Sequence, residues 1–260
     1  HHPRSTETAY VGWVKRLIRH FDDERVDQFN EKQIGDFLTD LAVTRHVASG
    51  TQNQALSASL FLFGNVLGRD LRFIHAVRAR SSEYRPVVLT KSEVKMLMER
   101  MHGRNRTMFL LMYGSGLRHR ECRTLRVKDV CCESRQITVR NGKGQKDRIT
   151  VLADSVVGPL KEQIEIARLL HLDDLDRGFG RVYLPFALAR KYPGANREFR
   201  WQYIFPSRQL SKDPRSGSIR RHHIHEGTFA AALKRSLART DIVKPAVPHT
   251  LRHSFATHLL

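Results

Sequence analysis

The chain has 260 residues, with 45 Lys or Arg against 26 Asp or Glu and a formal net charge of +19. That length supports one large domain or two moderate ones with a sizeable core. No apolar run approaches a membrane span, so neither a membrane role nor a membrane partner is expected. A cation surplus this large on a folded chain points to a polyanion, nucleic acid ahead of a membrane surface, in a soluble and cytoplasmic setting. Cys122, Cys131 and Cys132 lack metal-ligand spacing, and the adjacent pair is a poor disulfide candidate, which fits reduced thiols. The histidines form no H-E-x-x-H frame, so no metal and no cofactor are expected.

In chain order, Tyr10, Trp13, Val14, Leu17, Ile18 and Phe21 recur at helical spacing and predict a first helix with one buried face. Asn30 is placed to cap a second, with Ile34, Phe37, Leu38 and Leu41 inside. Thr51 and Gln54 make a capping-box pattern ahead of a stripe of Leu56, Leu60, Phe63 and Leu67. A shorter fourth element is expected around Leu71 to Val77. Residues 1–77 thus read as a small helical bundle.

From Arg78 to Pro86 the chain is polar, basic and closed by proline, so 78–89 reads as a linker. Thr90 and Glu93 make another capping box, and Val94, Leu97, Met98 and Met101 supply an apolar stripe. Met108, Leu111 and Met112 begin the next helix, which ends at Gly114-Ser115-Gly116. No strand and Lys-Ser/Thr context surrounds these glycines, so a nucleotide site is not expected. They instead let the backbone turn sharply, so that Arg118 starts a helix whose positive end can face an anion. Ile137 and Val139 alternate with polar residues, as do Ile149 and Val151, around Asn141-Gly142-Lys143-Gly144. That spacing predicts a β-hairpin with Lys143 in its turn, where a lysine is ordinarily solvated.

Val156, Leu160, Ile164 and Ala167 mark another helix. From His171 to Arg221 the chain then reads as irregular, with room for a short helix between Leu184 and Pro193. A stretch of that length inside a compact domain needs a purpose. Within it, Glu198-Phe199-Arg200-Trp201-Gln202-Tyr203-Ile204-Phe205-Pro206 interleaves aromatic rings with arginine, a composition suited to unstacked bases beside a phosphate backbone. A helix from Glu226 to Arg239 buries Phe229, Leu233 and Leu237. Pro248 opens a last one, in which Leu251, Phe255 and Leu259 form a stripe while His249 and Arg252 share another side. A permanent cation beside an imidazole suits acid–base chemistry at a phosphate, although such pairs are often simply solvated.

Three of these stretches resemble the signature boxes of the tyrosine recombinases. Tyr113-Gly114-Ser115-Gly116-Leu117-Arg118-His119-Arg120-Glu121 matches G-x-G-L-R-x-x-E, and His249-Thr250-Leu251-Arg252-His253 matches H-x-L-R-H. Between them, Asn141 to Arg148 resembles the family hairpin that bears a catalytic lysine. The resemblance covers essentially the whole chain. It implies a mainly α fold with a small β-hairpin or sheet (α+β): a helical, SAM-like core-binding domain over 1–77, a basic linker over 78–89 and a catalytic domain over 90–260. Ser49, Thr51, Gln52 and Asn53 would either face the DNA backbone or form an ordinary solvated helix start. The reaction implied is attack of a tyrosine hydroxyl on the scissile phosphate, giving a 3′-phosphotyrosine and a free 5′-hydroxyl without ATP or an obligatory metal. Arg118 and Arg252 would bind the nonbridging oxygens, Lys143 would protonate the departing oxygen and His249 would assist. Lys146 is the lesser candidate for the lysine role and is expected at DNA.

The stretch over about 171–221 resembles the insertion of the integron integrases, which recognise folded single-stranded attC sites by capturing bases that bulge from a hairpin. By that resemblance Trp201 stacks on one extrahelical base, Pro214, His222 and His223 sandwich another, and Arg221 belongs to the same DNA surface. The alternative is that Trp201 is core and the histidine pair solvated. The partners implied are DNA, as double-stranded attI-type and folded attC-type sites, and further copies in the family tetramer. All six tyrosines precede His249, whereas the family nucleophile lies well beyond it. The expectation is therefore a fragment that lacks the nucleophile and the C-terminal helix, inactive by itself and impaired in assembly. Two further readings stay open: a non-catalytic binder of structured DNA, and a phage or chromosome-dimer recombinase, against which the insertion speaks.

Overall fold

Two cores organise the chain, one within residues 1–85 and the other within 86–260. The computed structural model describes residues 4–22, 25–81, 86–140, 146–214 and 216–259. Among them no helix is long and apolar enough to cross a membrane.

Among the described residues, three α-helices build the first unit: α1 (Arg4–His20), α2 (Glu31–Val43) and α3 (Ser49–Phe61), the last continuing into one π turn at Leu62–Val66. The start of α2 follows from local chemistry. Asn30 Oδ1 accepts from Gln33 N and Gln33 Oε1 accepts from Asn30 N, each at 3.0 Å, so two end donors are satisfied reciprocally. Ile34, Phe37, Leu38 and Leu41 then share a core with Trp13 and Leu17 of α1.

The third helix departs from expectation. It begins at Ser49 behind Ala48, without a side-chain cap, because Gln54 accepts from Trp13 Nε1 at 3.0 Å instead of serving Thr51. Its buried face carries Gln52, Ala55, Ala58 and Ser59, followed by Phe63, while Leu60 and Leu67 are exposed. Small residues let α3 lie close against α1, an approach that a leucine stripe would prevent.

The fourth element expected near Leu71 to Val77 is an extended strap. Gln52 staples it: Nε2 donates to Leu38 O at 2.9 Å and to Val77 O at 2.7 Å, and Oε1 accepts from Ala79 N at 3.0 Å. Thr39 Oγ1 accepts from Val77 N at 3.1 Å. Gly35 leaves room for the His75 carbonyl, which an added Cβ would approach to 2.1 Å. These partners satisfy backbone groups that a helix would pair internally. Gln52 is thus a buried staple and does not face a phosphate backbone.

In the second unit, α4 (Lys91–Glu99) starts at the Thr90–Glu93 capping box and leads into α5 (Gly103–Gly114), buried from Thr107 to Met112. The short α6 (His119–Arg123) follows the glycine turn. Strands β1 (Val130–Cys131), β2 (Gln136–Val139) and β3 (Arg148–Val151) form an antiparallel sheet in that order. The register pairs Val139 with Arg148 and Ile137 with Thr150. Cross-strand partners share a face, so Arg148 and Thr150 lie on the side of the buried Ile137 and Val139, while Ile149 and Val151 are exposed. The turn 141–145, with Lys143, lies outside the described residues.

Then α7 spans Asp154–Asp176. It passes the end of its apolar stripe because polar residues continue its buried edge: His171 Nε2 meets Arg197 O at 2.9 Å, and Asp174 pairs with Arg221. The stretch expected to be irregular therefore holds structure: the end of α7, α8 (Phe186–Lys191), and the strands β4 (Pro206–Lys212) and β5 (Ile219–His223), paired antiparallel. Val182, Leu184, Ala195, Trp201 and Tyr203 form a satellite core of its own. Finally α9 (Glu226–Leu237) and α10 (Pro248–Leu259) pack on α5.

Replacing Gln52 by Ala removes the side-chain partners of Val77 O and Ala79 N in the strap and the bond to Leu38 O of α2, an expected loss of roughly 2–4 kcal/mol in the first unit. Urea unfolding and amide exchange of residues 71–81 check this. An unchanged unfolding midpoint with unchanged protection would show that the strap is held by something else.

Candidate active site

Gly116 sets the geometry between α5 and α6. Its φ is +62°, and a Cβ there would come within 2.4 Å of the Phe255 ring on α10, so only glycine fits. The Gly116 carbonyl accepts from Arg252 Nη1. The turn that launches Arg118 therefore also holds Arg252. Farther along α10, the buried Ser254 Oγ accepts from Leu89 N at 3.0 Å and donates to Thr250 O at 2.9 Å. Tyr113 OH meets His258 Nδ1 at 2.8 Å. The two sequence boxes are thereby locked side by side.

Arg118 is the N-cap of α6, and Glu121 reaches back to it. Glu121 Oε2 accepts from Arg118 N at 2.8 Å and Arg148 Nη2 at 2.7 Å; Oε1 accepts from Arg118 Nη1 and Arg148 Nη1, both at 2.8 Å. Four bonds fill the carboxylate. Burial alone would favour the neutral acid, but the hydrogen bonds and charges of Arg148 and Arg118 outweigh it and hold the pKa at about 2. Two guanidinium groups thus share one negative charge.

Arg252 adds a third cation close by, disfavoured by burial and then by the charges of Arg118 and Arg148. His249 has its pKa lowered by burial first, then by His253, Arg252 and Arg118. Its imidazole is neutral at neutral pH and able to accept a proton. The His249 and His253 rings meet edge to face at 4.4 Å. Excess positive charge with open donors, beside a neutral imidazole, is an arrangement that can bind a phosphate and move a proton there.

Of the four residues expected at the reacting phosphate, Arg118, His249 and Arg252 are brought together. Lys143 lies outside the described residues, and Lys146 is exposed near the foot of β3. Sequence reading missed Arg148. Its only signal was its place just after the lysine-bearing turn, and the β2–β3 register was needed to see that it faces Glu121.

The residues expected at bulged bases are more dispersed. Arg221 is corrected to a structural role: with 8% of its surface exposed, it forms a fork with Asp174, with Nη2 to Oδ1 at 2.6 Å. Its Nη1 donates to Ser207 O and Arg208 O, both at 2.8 Å, so the guanidinium is spent within the fold. Trp201 is 7% exposed and belongs to the satellite core, with Lys128 Nζ 4.2 Å above its ring. It is no open platform, but it lines a cleft of about 240 Å³ together with Tyr183, Tyr203, Arg126 and Arg140. Pro214 sits past the Lys212–Ile219 end of the β4–β5 ladder, whereas His222 and His223 lie three and four residues farther along β5, about 10–13 Å from that end at about 3.3 Å per residue. A sandwich of all three around one base is not assembled. His222 is exposed and stacks in parallel on Tyr203 at 5.6 Å. His223 is half-buried, and burial, followed by His222 and the nearby arginines, pushes its pKa down to about 4 against the opposing Ile224 carbonyl.

Comparison with known proteins gives a consistent picture. The sequence pattern of the phage integrase family matches residues 87–260, and that of a phage integrase N-terminal SAM-like domain matches residues 1–73. An integrase/recombinase of Escherichia coli is 43% identical over 261 residues, covering 100% of this chain and 77% of the relative. A tyrosine recombinase of Thermosipho africanus is 26% identical, covering 100% of this chain and 80% of the relative. Among solved structures, a lambda integrase tetramer bound to a Holliday junction superposes with a TM-score of 0.62 at 16% identity, over 99% of this chain and 67% of that one. The Tn1549 transposon integrase in complex with transposon right end DNA gives 0.59 at 16% identity, over 95% and 79%. These two likenesses are of fold.

Glu121 makes the site sensitive to acid in a defined direction. Its folded pKa of about 2 lies below the ordinary 4.5, so its contribution is complete above the ordinary value and lost as pH falls toward the folded one. Melting at about pH 5 and about pH 3 should show a steep loss in the wild type and a shallower one in Glu121→Gln. Parallel losses in both proteins would mean that the carboxylate is not held by the two arginines.

Proposed function

Since the chain belongs to the phage integrase family, the tyrosine recombinases, we propose that it serves site-specific DNA recombination of the integron integrase kind, on folded attC-type hairpins and double-stranded attI-type sites. The observation that carries this reading is the grouping of Arg118, Arg252 and His249 around one turn, with Glu121 ionised behind them. In the reaction, a tyrosine oxygen bonds to phosphorus as the bond to the 5′-oxygen breaks, and the bond energy is kept in the phosphotyrosine. Arg118 and Arg252 hold the nonbridging oxygens and offset the charge gained in the transition state. Lys143 delivers a proton to the 5′-oxygen, and His249 relays protons at the same phosphate. Cleavage and rejoining proceed within four copies on DNA.

For the hairpin preference, the support is the satellite core and the cleft beside Trp201. A bulged base entering it gains the indole face if the Lys128 ammonium, which also pairs with Asp129 at 3.3 Å, moves off the ring onto a backbone phosphate. Duplex DNA keeps its bases paired and uses phosphate contacts alone. Trp201→Ala is expected to weaken binding of a bulged hairpin by roughly 1–3 kcal/mol and to change duplex binding little. Titrations of hairpins with and without their bulges check this. If removing the bulges leaves wild-type affinity unchanged, or the substitution weakens both DNAs equally, Trp201 serves only as core.

None of the six tyrosines is proposed as the nucleophile. Tyr10 packs on Phe61 in the first unit, Tyr113 is engaged by His258, and the buried Tyr203 hydroxyl accepts from Arg126 Nη2 at 3.3 Å. Tyr84 falls outside the described residues. A polypeptide of these 260 residues is expected to bind nicked suicide substrates without becoming covalently attached. An SDS-stable adduct abolished by changing one of the six tyrosines would refute this, whereas DNA binding without an adduct is the expected result.

A further inference from the structure

Glu121 does not treat its two arginines alike. Arg148 presents a fork, with Nη1 on Oε1 at 2.8 Å and Nη2 on Oε2 at 2.7 Å. Arg118 gives the same carboxylate only Nη1 from its side chain, supplemented by its backbone N–H. The fork-to-fork geometry is the tightest that a guanidinium and a carboxylate can make. Arg148 occupies it, so Nε and Nη2 of Arg118 are not used on Glu121, and the Arg118 side chain stays one-third exposed against 9% for Glu121.

Arg148 is also placed to serve the lysine-bearing hairpin. It is the first residue of β3, directly opposite Val139 at the end of β2. Two residues on, Thr150 Oγ1 donates to Ser115 O at 2.9 Å. Arg140, on the other arm, bonds Asp129 at 2.8 Å and Asp147 at 3.2 Å. The foot of the hairpin is therefore pinned to the turn and helix that carry Arg118.

We infer that Arg148 is a positioning residue for phosphate binding: by holding the Glu121 carboxylate in a fork, it keeps Arg118 from closing on that carboxylate and leaves its donors for the phosphate. This rests on the proposed reading of the cluster as a phosphate site. Without Arg148, Glu121 retains both oxygens, and among the described residues Arg118 is the one side chain still hydrogen-bonded to them, with Arg252 acting on the carboxylate through its charge. Arg118 then turns into the vacated fork, and the donors meant for phosphate are consumed by an internal ion pair.

The test uses the full chain and orthovanadate as the phosphate probe, titrated calorimetrically, with a thermal melt of each variant. Arg148→Gln is expected to weaken vanadate binding about tenfold. The double variant Arg148→Gln with Glu121→Gln is expected to recover most of the loss, because the competing carboxylate is gone. Arg148→Lys keeps the charge but not the fork and is expected to fall between wild type and Arg148→Gln. A merely structural role would give a double variant at least as weak as the single one, and direct contact of Arg148 with the anion would leave it equally weak. Either result overturns the inference, as does wild-type binding by Arg148→Gln. Should Arg148→Gln not fold, Arg148→Lys with and without Glu121→Gln makes the same comparison. Arg118→Ala separates the two levels: if it leaves vanadate binding unchanged, the phosphate-site reading itself fails, and if it abolishes binding while the double variant shows no recovery, only the role of Arg148 fails.

Discussion

Three arginines and a histidine crowd the turn between α5 and α6, and the Glu121 carboxylate is what makes that crowding tolerable. Arg118, Arg148 and Arg252 would otherwise repel one another in a half-buried place where water screens charge poorly. With every lone pair of Glu121 engaged, the group keeps a net positive charge while its framework is hydrogen-bonded. Most of the second unit is arranged to allow this. The short α6 turns its N-terminus toward the carboxylate, β3 turns its polar face inward, and α10 can close on the turn only because Gly116 has no side chain.

Much of this was legible in the sequence where the determinants are local. Asn30 caps α2 where its position announces it, and Thr90 with Glu93 forms the capping box that their spacing announces. The two arginine boxes could be recognised because each is a contiguous run whose chemistry is carried by its own residues. Legibility failed where a side chain had a distant partner. Nothing near Gln52 in sequence reveals that its amide holds a strap 25 residues away at Val77. The inward face of β3 could not be read from Ile149 and Val151, because the apolar residues are the exposed ones and a salt bridge to α6 sets the orientation.

The long segment after α7 shows the same limit from the other side. Its composition of rings and arginines suggested a surface for bases, yet Arg221 closes an internal pair with Asp174 and Trp201 caps a satellite core. Aromatic and basic residues are interchangeable at the level of composition: a guanidinium that staples two elements reads like one that awaits a phosphate. The segment's length did convey that it has a purpose, although its strands β4 and β5 were not legible. Its hairpin and its buried Gln202, bonded to the carbonyls of Gly180 and Asn196, hold Trp201 and Tyr203 against the wall of a cleft.

Arg118, Arg252 and His249 are proposed to address one and the same phosphate. The most direct measurement is a structure of the protein on a nicked DNA hairpin, at a resolution that places the phosphate oxygens. The expected result is a single phosphate whose nonbridging oxygens accept from both Arg118 and Arg252, with His249 beside it and Arg148 still forked on Glu121. Arg118 and Arg252 on different phosphates, or Arg118 closed on Glu121 with DNA bound elsewhere, would show that these residues do not form one phosphate site.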